Sequence, residues 1–185
     1  MSGGSLRSSR GRPLEKARET KEVGSLRWFK VFLSTFFFTG YFPKCPGTAA
    51  SAAAFLIFWF IIRLLTPAEV SMPSLIIKVT AGAFVSCLII SIWLSTWALK
   101  YFGQNDPKQF VIDEAAGMFL VFIFVPPDLF ASLVGFALFR IFDIFKPWPT
   151  RRLEKLPPRF ALVADDLMAA VYAIVCLFVF HLIRL

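Results

Sequence analysis

Residues 74–99 read SLIIKVTAGAFVSCLIISIWLSTWAL, with Lys78 as the single charged side chain. Polar and apolar positions do not alternate, so the stretch is not a half-buried strand. About 20 apolar residues are enough to cross the hydrocarbon of a bilayer. In lipid a lone segment must satisfy its own backbone, which only a helix does. The stretch therefore predicts a membrane-crossing helix, and it sets how its neighbours are read.

Thr48–Leu65 and Leu162–Ile183 are apolar runs of comparable length. Val111–Val125, closed by Pro126-Pro127-Asp128, and Leu129–Phe145, closed by Lys146-Pro147-Trp148-Pro149, are shorter. These two read either as short spans or as a tilted helical hairpin within a bundle. Trp28–Phe42 is too short to span and runs into turn chemistry at Gly40-Tyr-Phe-Pro43-Lys-Cys-Pro46-Gly47-Thr48. It reads as a re-entrant or interfacial helix. Residues 1–27, rich in Ser, Gly, Arg and Lys, carry no apolar period and read as a disordered basic cytoplasmic tail. The expected fold is all-α: a small polytopic membrane helical bundle over 28–185, with four to five spans plus the short N-terminal helix.

Composition agrees. Of 185 residues 57% are hydrophobic and 17% charged, against about 25% charged in soluble domains. The net charge of +8 suggests an anion-binding protein, but so apolar a chain excludes an ordinary nucleic-acid binder. Its distribution reports topology instead. With the N-terminus placed in the cytoplasm, every Lys and Arg except Arg63, Lys78 and Arg184 falls on the cytoplasmic side. Cys45, Cys87 and Cys176 are widely spaced and form no Cys-x-x-Cys, so neither a disulfide framework nor a zinc site is indicated. A cysteine phosphatase needs Arg six residues after its nucleophile, where this chain has Ser51, Trp93 and Leu182. His181 alone cannot serve phosphohistidine or Ser-His-Asp chemistry.

The acidic residues are the informative set. Asp113-Glu114 opens one apolar segment, Asp143 closes the next, and Asp165-Asp166 opens the last. On the same topology all five lie at the cytoplasmic border, where charge beside an apolar helix is expensive and usually functional. Hard oxygen donors converging from three segments suit Mg²⁺, which binds through a few carboxylates plus substrate phosphate. Helix capping is the alternative for Asp113 or Asp165 taken singly. It explains neither the doublets nor Asp143 at a C-terminal end. Arg140, Asp143 and Lys146 are spaced three apart and share a helix side. With Arg151, Arg152 and Lys155 they offer cations for phosphoryl oxygens, or an Arg140–Asp143 ion pair and loop charge. Gly47-Thr48, before the small-residue run 49–54, reads as a structural turn that can also present N–H groups to an anion.

Together these stretches resemble the phosphatidylglycerophosphatase A family. The matching residues are Gly40 to Thr48, Val111-Ile-Asp113-Glu114-Ala-Ala-Gly117-Met, Phe139-Arg140-Ile-Phe-Asp143-Ile-Phe-Lys146-Pro147-Trp148-Pro149, and Asp165-Asp166-Leu-Met-Ala, covering about residues 30–180. The chain departs from the family pattern at Leu156 to Val163, Ala49-Ala50-Ser51 and Ala169-Ala170, which bear on loop shape more than on carboxylates.

The resemblance implies an all-helical, Mg²⁺-dependent lipid phosphatase that converts phosphatidylglycerophosphate to phosphatidylglycerol. The implied setting is the bacterial inner (cytoplasmic) membrane, with an anionic glycerophospholipid as substrate and no nucleic-acid partner. On that reading Asp113, Glu114, Asp143, Asp165 and Asp166 are metal ligands, with Asp113, Glu114 and Asp143 also catalytic. Glu114 is a ligand or the base that orients water. Arg140 and Lys146 grip the phosphoryl group, assisted by Arg152 and Thr48. A small ion-coupled transporter or channel component is the rival class, but it calls for carboxylates near mid-membrane. A CDP-alcohol phosphotransferase needs an Asp-Gly-x-x-Ala-Arg string that this chain lacks.

Overall fold

The computed structural model describes residues 13–66, 73–104, 107–148, 153 and 156–183. These form six α-helices and one 3₁₀ turn, with no strand among the described residues. The helices are α1 (Pro13–Ser34), α2 (Pro46–Leu65), α3 (Pro73–Phe102), α4 (Ile112–Phe124), α5 (Leu129–Phe145) and α6 (Pro158–Ile183).

Three of them are long and apolar enough to cross a membrane: α2, α3 and residues Phe160–Phe180 of α6. The shorter α4 and α5, of 13 and 17 residues, follow one another across the Pro126-Pro127-Asp128 turn and pack together. At 1.5 Å per residue they reach about 20 and 26 Å, short of a hydrocarbon core of about 30 Å. Asp128 turns the hairpin: its carboxylate accepts the Ala131 N–H at 2.8 Å and caps α5.

α4 is the centre of the bundle. Nine of its 13 residues are buried, and it packs against α2, α3, α5 and α6. α2 meets it through a small-residue stripe, Gly47, Ala50, Ser51 and Ala54, which lets the backbones come close. Further along, Phe58 stacks flat on Phe122 with ring centroids 4.3 Å apart. α3 turns an equally modest stripe inward, including Thr80, Ser91, Ser95 and Ala98.

Two expectations shift. α1 begins at Pro13, so residues 13–27 continue a helix where the sequence suggested an unstructured tail. Leu, Glu, Lys, Ala and Arg dominate this stretch, and their helix propensity needs no apolar period. α6 starts at Pro158 rather than Leu162. Proline at the first helical position has its φ already set, so the Pro157-Pro158 pair starts the helix instead of delaying it.

After α1 the chain makes an unusual turn. Phe36, Phe37 and Phe38 all have positive φ, at 41°, 60° and 66°. The Thr35 hydroxyl donates to Val31 O at 2.7 Å and accepts the Phe38 N–H at 3.2 Å, while Gly40 N–H reaches Thr35 O at 3.0 Å. Ser34 O then accepts the Val111 N–H at 3.1 Å, which ties this turn to the start of α4.

Candidate active site

α2, α4 and α6 begin, and α5 ends, at one end of the bundle, and their polar residues meet there. Arg140 stands at the centre, its side chain 14% exposed. Its Nη1 pairs with Asp143 Oδ2 at 2.7 Å and Glu114 Oε2 at 3.1 Å, and donates to Ser51 Oγ at 3.4 Å. One guanidinium thus joins α2, α4 and α5. Arg140 Nε is buried and has no hydrogen-bond partner among the described residues.

The carboxylates gather around it. Asp113 and Asp166 are both buried. Asp166 lies beside Asp143 and within electrostatic reach of Asp113 and Glu114. Asp113 is near Glu114 and Asp143 in turn, and its Oδ1 accepts the Glu114 N–H at 3.1 Å. The Asp165 side chain pairs elsewhere: Lys146 Nζ meets its Oδ2 at 2.8 Å. Four of the five expected ligands therefore share one neighbourhood, and the fifth sits on its flank. Among the described residues, no three Asp, Glu, Cys or His side chains already surround a common point at metal-binding distance.

The geometry decides between capping and clustering for α6. Asp165 and Asp166 stand about two turns inside the helix, so they cap nothing. It also separates Lys146 from the Arg140–Asp143 pair. The helix ends at Lys146, whose φ of 42° and ψ of 66° turn the chain away and aim Nζ at α6.

Two glycines set the spacing. A Cβ on Gly47 would overlap the Glu114 carboxylate oxygens, so only glycine admits that carboxylate against α2. A Cβ on Gly117 would come within 2.7 Å of the Phe139 ring and 3.0 Å of Asp166 O. Gly117 thereby lets α4, α5 and α6 close up until Asp113, Asp143 and Asp166 meet.

Thr48, half-buried, lies beside Gly47 in the first turn of α2. Arg152 lies outside the described residues, as do Asp106, Pro149, Arg151, Glu154 and Lys155. Trp148 is exposed, and its carbonyl accepts the Tyr172 hydroxyl at 3.1 Å, which ties the turn after α5 to α6. Sequence reasoning gave Ser51 no functional role. Its signal was faint: a single hydroxyl in an alanine run, four residues after Gly47 and so on the same helix face.

The sequence profile of phosphatidylglycerophosphatase A matches residues 32–181, a stretch that contains every residue of this cluster. The chain belongs to the phosphatidylglycerophosphatase A family. Phosphatidylglycerophosphatase A of Haemophilus influenzae is 31% identical over 148 residues, covering 79% of this chain and 85% of that protein. The Escherichia coli phosphatidylglycerophosphatase A is 29% identical over 141 residues, covering 75% and 76%. A Bacteroides thetaiotaomicron protein, provisionally named a phosphatidylinositol-3-phosphatase, is 31% identical over 148 residues, covering 78% and 89%. No solved structure matches the chain. As a phosphatidylglycerophosphatase A family member the chain is a phosphoric monoester hydrolase.

Proposed function

We propose that the protein hydrolyses the terminal phosphate monoester of phosphatidylglycerophosphate, releasing phosphatidylglycerol and phosphate, with Mg²⁺ and at the cytoplasmic face of the membrane. The observation that carries this reading is Arg140, fixed by Glu114, Asp143 and Ser51 beside Asp113 and Asp166 at one end of an apolar bundle.

The donor set suits a hard divalent cation. Among the described residues five carboxyl groups face two cationic side chains, Arg140 and Lys146. Burying that surplus of like charge is costly without a further cation. Asp113, Asp143 and Asp166 would hold Mg²⁺, with Glu114 and Asp165 adjacent, and the ion would supply charge neutralisation on phosphate and a more acidic bound water.

The protein's own groups do the rest. Arg140 presents a planar donor edge to the phosphoryl oxygens, a geometry that lysine lacks. Lys146, with its side chain 35% exposed, can leave Asp165 and add a second cation as charge moves to the leaving oxygen. Glu114, held between Arg140 and Gly47, orients the attacking water. The cytoplasmic placement rests on the Lys and Arg distribution. Lipid substrate reaches this end from the bilayer beside Ile144, Phe145 and Trp148, all exposed.

The test is phosphate release by the purified protein in detergent. Phosphatidylglycerophosphate should be cleaved with Mg²⁺ and spared after chelation. No release, or release indifferent to chelator, overturns the reading. Phosphatidylinositol 3-phosphate belongs in the same assay, and faster turnover of that lipid would reassign the substrate.

A further inference from the structure

The hydroxyl of Ser51 is fully buried, in a run of α2, residues 49–54, otherwise composed of alanine. It stands 3.4 Å from Arg140 Nη1. The other two acceptors at that nitrogen, Glu114 and Asp143, are carboxylates. They hold the guanidinium but also oppose its positive charge, the property a phosphoryl group needs. Ser51 is the neutral acceptor of the three, and it comes from a helix that carries neither carboxylate. It resists rotation of the guanidinium plane without cancelling charge. Nη1 has two N–H groups, which the carboxylates take at 2.7 and 3.1 Å with Ser51 sharing at 3.4 Å, and the buried Nε, which has no partner among the described residues, lies on the remaining edge.

We propose that Ser51 is a positioning residue: it fixes the Arg140 guanidinium so that its Nε edge meets the phosphoryl group. The proposal rests on the phosphatase reading above and adds to it a role on α2. Alanine at 51 repeats the residue type that already flanks it, so Ser51→Ala is expected to fold and to keep its thermal midpoint. A group that only packs would leave kinetics unchanged. A positioning group acts on the step in which charge develops, and it acts through its partner.

The experiment is a double-mutant cycle on phosphate release from phosphatidylglycerophosphate, joined to a titration with inorganic phosphate. Ser51→Ala should lower kcat about tenfold with KM changed less than about twofold, and should weaken inorganic phosphate binding about fivefold. In an Arg140→Ala background, adding Ser51→Ala should change neither quantity further. Ser51→Thr, which keeps the hydroxyl, should recover most of the loss. Wild-type kcat and phosphate affinity in Ser51→Ala overturn the proposal, as does an equal extra loss in the Arg140→Ala background. If the wild type releases no phosphate from the lipid, the hydrolase reading fails. The inorganic phosphate titration then decides the role of Ser51 on its own: a weaker Ser51→Ala supports it, and equal or absent binding overturns it.

Discussion

Arg140, largely enclosed, and Asp166, buried, lie together at one end of the bundle, and their removal should have opposite effects on stability. Truncating Arg140 leaves the largely enclosed Glu114 and Asp143 without their shared cation, which destabilises the folded state. Arg140→Ala should therefore lose activity and unfold earlier in a detergent thermal melt. Asp166→Asn instead removes one negative charge from a crowd of carboxyl groups and offers Asp143 an amide donor in place of a like charge. It should lose activity by about 100-fold or more, the scale of losing a key electrostatic group, while its melting point holds or rises. An Asp166→Asn protein with a wild-type rate would remove this residue from the site. Gly47→Ala tests the spacing: its methyl group displaces the Glu114 carboxylate, so activity should fall although no polar group is lost. The carboxylates were legible in the sequence because charge at the border of an apolar run is rare and has few uses. Gly47 and Ser51 were not, since small residues in an alanine run look alike until the facing helix is in view.

At the scale of the elements, α2 to α6 were legible because lipid leaves an apolar run no other choice of backbone. The N-terminal half of α1 and the start of α6 were missed for a shared reason: both follow local backbone preference, with no apolar period in the sequence to announce them. The turn at Phe36–Phe38 was also hidden. Aromatic residues disfavour positive φ, and three in succession are held by the hydroxyls of Thr35 and Thr39 together with backbone bonds from Phe36 and Phe37. Within the bundle, the α2–α4 contact is the one to probe. Phe58→Ala removes a fully buried ring stacked on Phe122 and should cost about 3–5 kcal/mol. That loss would be read as a lower midpoint in denaturant. Kinetic constants measured below that midpoint should stay near wild type, because Phe58 lies three turns along α2 from Gly47.

For the whole molecule, the cysteines offer a direct check on orientation. Cys45 is exposed at the end that carries the carboxylates, Cys87 is buried, and Cys176 is intermediate. A membrane-impermeant maleimide should label Cys45 in inverted vesicles and spare it in intact cells. The reverse pattern would place the cluster on the outer face. On the proposed orientation the net charge of +8 records topology, and on the proposed function the few acidic residues it outweighs carry the chemistry.

The burial of α4 governs how such a protein must be made. α4 is too short to lodge stably in a bilayer alone, begins with two acids, and presents apolar faces to helices on both sides of it in the chain. During synthesis it emerges before two of its packing partners, α5 and α6, exist. It must wait as part of a loosely held hairpin until α6 has left the ribosome, and only then can the polar cluster at this end be completed. A chain ending before residue 158 should still reach the membrane on α2 and α3. There it should be cut rapidly at the uncovered hairpin by a membrane protease, whereas the full-length protein persists.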